Sequence, residues 1–172
     1  MVGMILLIVA EPYRFERITS YINPFEDPLG SGFQIIQSLY SLSPGGLIGE
    51  GIDGSIQKHF YLPEPQTDFI FAILCEEWGF IGGVIVLLLF LGFIIEGFKI
   101  SKRQQDLKRS YLGVGVVSVI SIQVIINLSV VVGLMPVTGI TLPFISYGGT
   151  SLIVTLALTG LLLNISKKEN LL

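Results

Sequence analysis

Several carboxylates stand at the start of a long apolar stretch, where a charged group is costly unless something uses it. Asp68 and Glu64 belong to the segment YLPEPQTDFIFAILCEEWGF, and Glu76 and Glu77 follow in its apolar half. A carboxylate in such a place can accept a proton as a general base. The alternative for Asp68 is structural: with Thr67 as N-cap, it would stabilise a helix N-terminus by roughly 0.3–1 kcal/mol.

Other polar groups precede Asp68 on a segment stiffened by prolines, among them Gln57 and Lys58. Loops held by a rigid scaffold often carry catalytic groups. His59 is the single histidine, so the sequence offers no transition-metal cluster. Carboxylates could still hold a hard divalent cation together with substrate phosphates. No basic patch suited to nucleic acid is present on the segments expected outside the membrane.

The composition predicts that a membrane surrounds these residues. Hydrophobic residues make up 51% of the 172 positions and charged residues 13%, about half the charged fraction usual in soluble domains. The apolar residues form long blocks, which indicates spanning helices. We therefore expect an all-α integral membrane protein, a polytopic helical-bundle fragment with three full spans at about 68–98, 111–134 and 150–165.

Charge distribution predicts the topology of these spans. Basic residues cluster in 99–110 and again at Lys167 and Lys168, so this loop and the C-terminus should be cytoplasmic. The long segment 11–66 and the Gly/Pro loop 135–149 would then lie outside. Residues 1–10 are apolar but only about half a span long. They resemble the end of a truncated transmembrane helix, so we expect the chain to be the carboxy-terminal part of a larger membrane protein.

The outer segment 11–66 contains two amphipathic patterns. RFERITSYI places Arg14 and Arg17 on one face and should end at Asn23-Pro24. In SGFQIIQSLYSLS a polar stripe is expected opposite an apolar face that contains Leu39 and Tyr40. The members of that stripe are Gln34, Gln37, Ser38 and Ser41.

Two further expectations concern the spans themselves. As one continuous helix of roughly 46 Å, the first span would place Glu76 near the face of Asp68 and Glu77 on the opposite face. Asn127 is a polar group inside the second span, and a helix–helix hydrogen bond is the expected use of its amide.

Three separated motifs in this chain resemble the FtsW/RodA/SpoVE (SEDS) membrane proteins of bacterial division, shape and sporulation, closest to the FtsW and SpoVE branch. They are PYRFERITSYINPFEDPLGSGFQIIQSL, GGLIGEGIDGSIQKHFYLPEPQTDFIFAILCEEWGFIGG and GLMPVTGITLPFISYGGTSL. The resemblance runs from Glu11 onward. It implies a peptidoglycan glycosyltransferase in the bacterial plasma membrane that polymerises lipid II beside a class B penicillin-binding transpeptidase. It also implies that the amino-terminal half of the fold is absent from this chain.

The resemblance places the family's essential aspartate on Asp68, with Glu64 as its nearby acid. We expect Asp68 to act as general base and Glu64 to tune it. Substrate-binding positions would be Lys58, Arg14 and Arg17 toward phosphate, Gln34, Gln37 and Ser38 toward sugar hydroxyls, and Gln57 beside them. No cofactor is required, although a divalent cation remains an option.

Two other functions stay open. A flippase or transporter of lipid-linked precursors would also use intramembrane carboxylates and broken helices. A truncated, inactive fragment would bind its transpeptidase partner without catalysing a reaction.

Overall fold

The computed structural model describes residues 12–28, 30, 32–42, 45–51 and 68–167, with side chains from residue 17 onward. Within these ranges the chain is all-helical. The helices are α1 (Pro12–Ile22), α2 (Phe33–Leu42), α3 (Ile70–Arg103), α4 (Leu107–Val131) and α5 (Gly149–Lys167). The partial helix expected at 1–10 lies outside the described residues.

Three of these helices, α3, α4 and α5, are long and apolar enough to cross a membrane, with 34, 25 and 19 residues. At 1.5 Å per residue, α4 is about 37 Å long, which exceeds the roughly 30 Å hydrocarbon core of a bilayer. The expected all-α class with three long apolar helices is confirmed. α1 also ends as expected, directly before Asn23-Pro24.

Helix α3 is interrupted at Gly79, so the first predicted span is not one continuous helix. Gly79 has φ 69° and ψ −169°, a combination that is essentially restricted to glycine. The part after the break, 80–103, is about 36 Å long and can cross a bilayer without the part before it. The short half-helix 70–78 and Asp68 are thus not needed for α3 to cross the bilayer.

The glycine-rich segment 45–51 replaces the helical hydrogen bonds that the break removes. Four backbone hydrogen bonds join this segment to both sides of Gly79: Glu50 N to Glu76 O (3.1 Å), Gly51 N to Glu77 O (3.0 Å), Phe80 N to Gly46 O (2.9 Å) and Ile81 N to Leu47 O (3.3 Å). Unsatisfied backbone groups at membrane depth cost several kcal/mol each. A second piece of chain inside the break is thus what makes the break tolerable.

The start of α3 corrects the expected place of Asp68 in the first helical turn. The helix begins at Ile70 with Phe69 as N-cap, and the Phe69 side chain makes no capping hydrogen bond. Asp68 lies in the turn before the cap and not in the first helical turn. The angular relation expected between Asp68 and Glu76 fails for the same reason. The expected N-cap, Thr67, lies outside the described residues.

Helix α2 also differs from its predicted faces. Ser38 and Ser41, expected on a polar stripe, are buried, whereas Leu39 and Tyr40, expected on the apolar face, are exposed. The reason is that α2 packs against α3 and α4 through Ile35 and the two small serines. Small side chains let helices approach closely, and their hydroxyl groups bond to nearby carbonyl groups.

The three long helices enclose two apolar clusters at opposite ends of the bundle. The cluster nearest Asp68 joins α2, α3, α4 and the loop after α4: its members include Ile35, Phe69, Phe71, Val124, Val131, Val137 and Leu142. The cluster at the other end comprises Val116, Val117, Ile120 and Leu162. Close helix contacts there depend on glycine, because a Cβ atom on Gly97 would lie 2.6 Å from Val117.

The basic segment 99–110 is mostly helical. α3 ends at Arg103 and α4 begins at Leu107, so α3 and α4 are antiparallel neighbours. Asp106 is the N-cap of α4, and its carboxylate accepts a hydrogen bond from the backbone N–H of Lys108 at 3.0 Å. Such caps typically stabilise a helix by about 1 kcal/mol.

The break at Gly79 leads to a stability prediction. Alanine at this position would need a glycine-only conformation, and its Cβ would lie 2.6 Å from the Leu47 carbonyl carbon. We expect Gly79→Ala to lower the stability of the protein by about 1–3 kcal/mol. The loss is detected as a lower apparent melting temperature in detergent. Gly92→Ala is the matched control, because Gly92 is helical with open space around it. Equal melting temperatures for the two variants would contradict the structural role of the break.

Candidate functional site

The candidate site lies where the turn before α3 meets the loop between α4 and α5. Asp68 is half-buried in that turn. Its carboxylate faces Gly139, and a Cβ atom on Gly139 would stand 3.7 Å from Asp68 Oδ2. Gly139 has φ 73°, a backbone conformation that favours glycine. The carboxylate therefore lies along exposed main chain, with no side chain of residue 139 in front of it.

Asn127 joins the two backbones that form the site. Its side-chain amide nitrogen donates to the carbonyl oxygen of Asp68 at 2.9 Å and to that of Ile140 at 2.8 Å. The side chain is 1% exposed. Carbonyl oxygens only accept hydrogen bonds, so the amide NH₂ and not the amide oxygen must face them. The expected helix–helix hydrogen bond is wrong in detail, because both partners lie outside the helices.

Helix α1 holds the first half of the same loop. Arg17 donates through Nη1 to the carbonyl oxygen of Val137 at 2.7 Å. One helical turn further on, the Tyr21 hydroxyl donates to the carbonyl of Leu134 at 2.9 Å. Arg17 and Tyr21 are four residues apart and thus share one face of the helix. α1 is thereby docked along the loop that faces Asp68.

Helix α2 binds the end of α4. The buried hydroxyl of Ser38 donates to the carbonyl oxygen of Val131 at 2.9 Å. Val131 is the last residue of α4, and the last carbonyls of a helix have no partner within it. By contrast, Ser41 donates at 2.9 Å to Gln37 within its own helix. Ser38 is thus a structural link between two elements.

The second half of the loop is a tight turn before α5. Phe144 has φ 67°, a costly conformation for a bulky side chain. Ser146 stabilises the turn, because its hydroxyl accepts a hydrogen bond from the backbone N–H of Leu142 at 2.7 Å. The ring of Phe144 packs edge-on against Phe93 of α3, with centroids 5.8 Å apart. The turn is thus fixed to the half of α3 that follows the break.

The structure brings only part of the predicted site together. Asp68 and Arg17 both contact the loop after α4, Arg17 through a hydrogen bond and Asp68 at Gly139. Gln34 and Gln37 are half-buried on α2. The Ser38 hydroxyl is hydrogen-bonded to the carbonyl of Val131. Arg14 lies on α1 without a described side chain. Three predicted residues, Gln57, Lys58 and Glu64, lie outside the described residues.

Sequence reasoning missed the structural importance of two groups at this site. The sequence marks Asn127 as a polar residue in an apolar helix, but it does not predict the two carbonyl partners of the amide. Tyr21 gave no signal beyond its place on the polar face of α1. Among the residues that the structure describes, no cluster of three or more histidine, cysteine or carboxylate side chains could hold a metal ion.

Comparison with known proteins assigns the chain to a family. Residues 1–171 match the family model FtsW/RodA/SpoVE, described as cell cycle protein. The chain is 61% identical over 165 residues to Stage V sporulation protein E of Bacillus subtilis, covering 96% of this chain and 45% of that protein. It is 46% identical to a probable peptidoglycan glycosyltransferase FtsW of Geobacter metallireducens, covering 94% and 43%.

A solved structure agrees with this assignment. The fold matches one chain from a study of how a peptidoglycan synthase complex coordinates polymerization and crosslinking, with a TM-score of 0.75 and 37% identity over 99% of this chain. The chain covers 46% of that neighbour and less than half the length of the curated relatives named above. Together with the three apolar helices, the match identifies a multi-pass membrane protein.

The two buried serines of α2 provide a test of the packing at this site. Ser38→Ala removes the donor to Val131 and leaves a buried carbonyl unsatisfied, which should cost about 1–3 kcal/mol. Ser41→Ala removes only a bond to a carbonyl of its own helix and should cost less. Apparent melting temperatures of the purified protein in detergent measure the difference. A larger loss for Ser41→Ala would show that α2 is not held through Ser38.

Proposed function

The chain belongs to the FtsW/RodA/SpoVE family, and from this premise we propose that it acts in bacterial cell-wall synthesis as a peptidoglycan glycosyltransferase. Its substrate would be lipid II, the lipid-linked disaccharide–peptide unit. A relative named as a probable peptidoglycan glycosyltransferase supports this assignment. Division, shape maintenance and sporulation are all settings in which such a polymerase works, and the similarity to a sporulation protein favours the last.

The observation that carries the proposal is the placement of Asp68. Its carboxylate faces the open main chain of Gly139, on a turn that Asn127 fixes and beyond the break in α3. A half-buried carboxylate at such a place can take the proton from an acceptor sugar hydroxyl as that oxygen attacks. The new glycosidic C–O bond forms at the anomeric carbon of the other substrate. The bond from that carbon to the lipid pyrophosphate breaks, and its electron pair leaves with the pyrophosphate.

Cations near the pyrophosphate would offset its growing negative charge. Lys58 and Arg14 are our candidates, with Glu64 as the second carboxylate beside Asp68. Arg17 already donates to Val137, so a phosphate contact from it would have to use other N–H groups of its guanidinium. Sugar contacts remain proposed for Gln34, Gln37 and Gln57, whereas Ser38 is buried and its hydroxyl already donates to Val131. A divalent cation held by carboxylates and pyrophosphate would serve the same purpose as these cations.

We place the Asp68 end of the bundle outside the membrane. The opposite end carries Lys99, Lys102 and Arg103, and basic residues mark the cytoplasmic side. This orientation would put Asp68 at the outer face of the membrane, where glycan strands are polymerised. A class B penicillin-binding transpeptidase is the proposed partner, supported by similarity to a chain of a polymerising and crosslinking complex.

A specific observation also supports the transporter alternative. Glu76 is 1% exposed in the half-helix before the break, and transporters use broken helices and buried carboxylates. That alternative predicts that Glu76→Gln abolishes lipid movement across the membrane, while Asp68→Asn has little effect. An inactive partner-binding fragment predicts no effect of either change on glycan synthesis.

Substitution of Asp68 tests the proposal. In a chimera, residues 12–167 replace the matching part of the B. subtilis Stage V sporulation protein E, and the chimera is purified with its transpeptidase and supplied with lipid II. We expect Asp68→Asn to lower the rate of strand formation on gels by about 10²–10⁴-fold, because the base is lost and the shape kept.

Asp106→Asn is the matched control for this experiment. Asp106 lies at the opposite end of the bundle, and asparagine is an equally good N-cap. This control should keep the activity of the unsubstituted chimera. Undiminished strands from a folded Asp68→Asn variant would refute the proposed base, and no strands from the unsubstituted chimera would favour the transporter or the inactive fragment.

A further inference from the structure

Asn127 occupies the junction between the Asp68 turn and the loop that faces it. Resting on the proposed function, we propose that Asn127 is a positioning residue that holds the Asp68 carboxylate in its reactive place. It does so by binding the carbonyl oxygens of Asp68 and Ile140 with one amide nitrogen, so that the two sides of the site keep a fixed separation.

The first step of the argument is the chemistry of the amide. Both carbonyl oxygens lie within hydrogen-bond distance of the same nitrogen, at 2.9 and 2.8 Å. A neutral NH₂ group supplies exactly the two donors that this arrangement needs. A leucine of similar size supplies none, and a carboxylate would place negative charge against two acceptors. The NH₂ group is therefore matched to its two acceptors, while the buried Asn127 Oδ1 has no hydrogen-bond partner among the described residues.

The second step is where the two bonds act. One partner is the carbonyl of Asp68 itself, and the other belongs to Ile140, directly after the glycine that faces the Asp68 carboxylate. Displacing either carbonyl changes the distance between the Asp68 carboxylate and the main chain of Gly139. A single side chain thus fixes both the Asp68 turn and the loop segment that faces it.

The third step is what Asn127 attaches the turn to. Phe69, the N-cap residue of α3, makes no side-chain capping hydrogen bond, and Asn127 binds the Asp68 carbonyl from within α4. The half-helix that follows runs only to the break at Gly79. Asn127 connects this short half-helix to α4, which is continuous over 25 residues. A rigid helix thereby determines where the turn lies.

The test compares variants of the chimera with lipid II and the transpeptidase, with kcat and KM measured per folded molecule. Asn127→Leu should lower kcat by about 10–100-fold, because misplacement of a catalytic group by about 1 Å can cost 10²-fold. KM should stay within about twofold of the unsubstituted value. Ser121→Ala is the matched control, a buried polar residue of α4 whose hydroxyl bonds only to Val117 of its own helix. It should leave both constants unchanged.

Asn127→Asp provides a second variant of nearly the same volume. Its carboxyl group can donate at most one hydrogen bond, and only in the protonated form, in place of the two that the amide donates. We expect its kcat to fall between those of the unsubstituted chimera and Asn127→Leu. Hydrogen exchange of peptides covering 68–78 and 134–142 should accelerate in the same order, since both segments lose their tether.

The outcomes separate the two hypotheses. A folded Asn127→Leu variant with unchanged kcat overturns the positioning role even if Asp68→Asn is inactive. Should the leucine variant fail to fold, unchanged kcat in Asn127→Asp overturns it instead. A rise in KM with constant kcat also overturns it, because it indicates a binding role. If Asp68→Asn itself keeps full activity, the proposed base is refuted, and the positioning role that rests on it is overturned as well.

Discussion

Backbone carbonyl groups at the end of α4 and in the loop after it determine the architecture around Asp68, because carbonyl groups without a helical partner need hydrogen-bond donors from elsewhere. The loop between α4 and α5 cannot supply these donors itself, since its prolines and glycines prevent a regular helix. Side chains from three different helices supply them: Ser38, Tyr21, Arg17 and Asn127 bind the carbonyls of Val131, Leu134, Val137 and Ile140. The loop is therefore shaped from outside by the helices packed around it.

The same constraint explains the broken helix. At Gly79 the backbone leaves the helical path, and segment 45–51 provides the missing donors and acceptors. The half-helix 70–78 is thus held by this segment at one end and by Asn127 at the other. Asp68 stands at the second of these attachments. A side chain at the end of a half-helix that is attached at both ends can keep its geometry without being buried in a core.

Side chains that shape the site and those that would contact substrate are chemically alike. The sequence predicts substrate contacts from Arg17 and Ser38, and both side chains donate to carbonyl groups of the protein. Donor groups can bind a loop carbonyl as well as a phosphate or a sugar hydroxyl, so residue type does not distinguish the two uses. The position of each donor relative to the loop and to Asp68 is what distinguishes them.

The sequence by itself determined the all-α membrane class, the three apolar helices, the end of α1 at Asn23-Pro24 and the motif that carries Asp68. These features depend on transfer free energies and local propensities, which neighbouring residues encode. Tertiary structure alone decided the break at Gly79. Gly92 of α3 is likewise followed by phenylalanine and does not interrupt the helix. It also decided the partners of Asn127, which are 59 and 13 residues away along the chain. Hydrogen bonds across such separations depend on which distant segments meet, and no local periodicity records that.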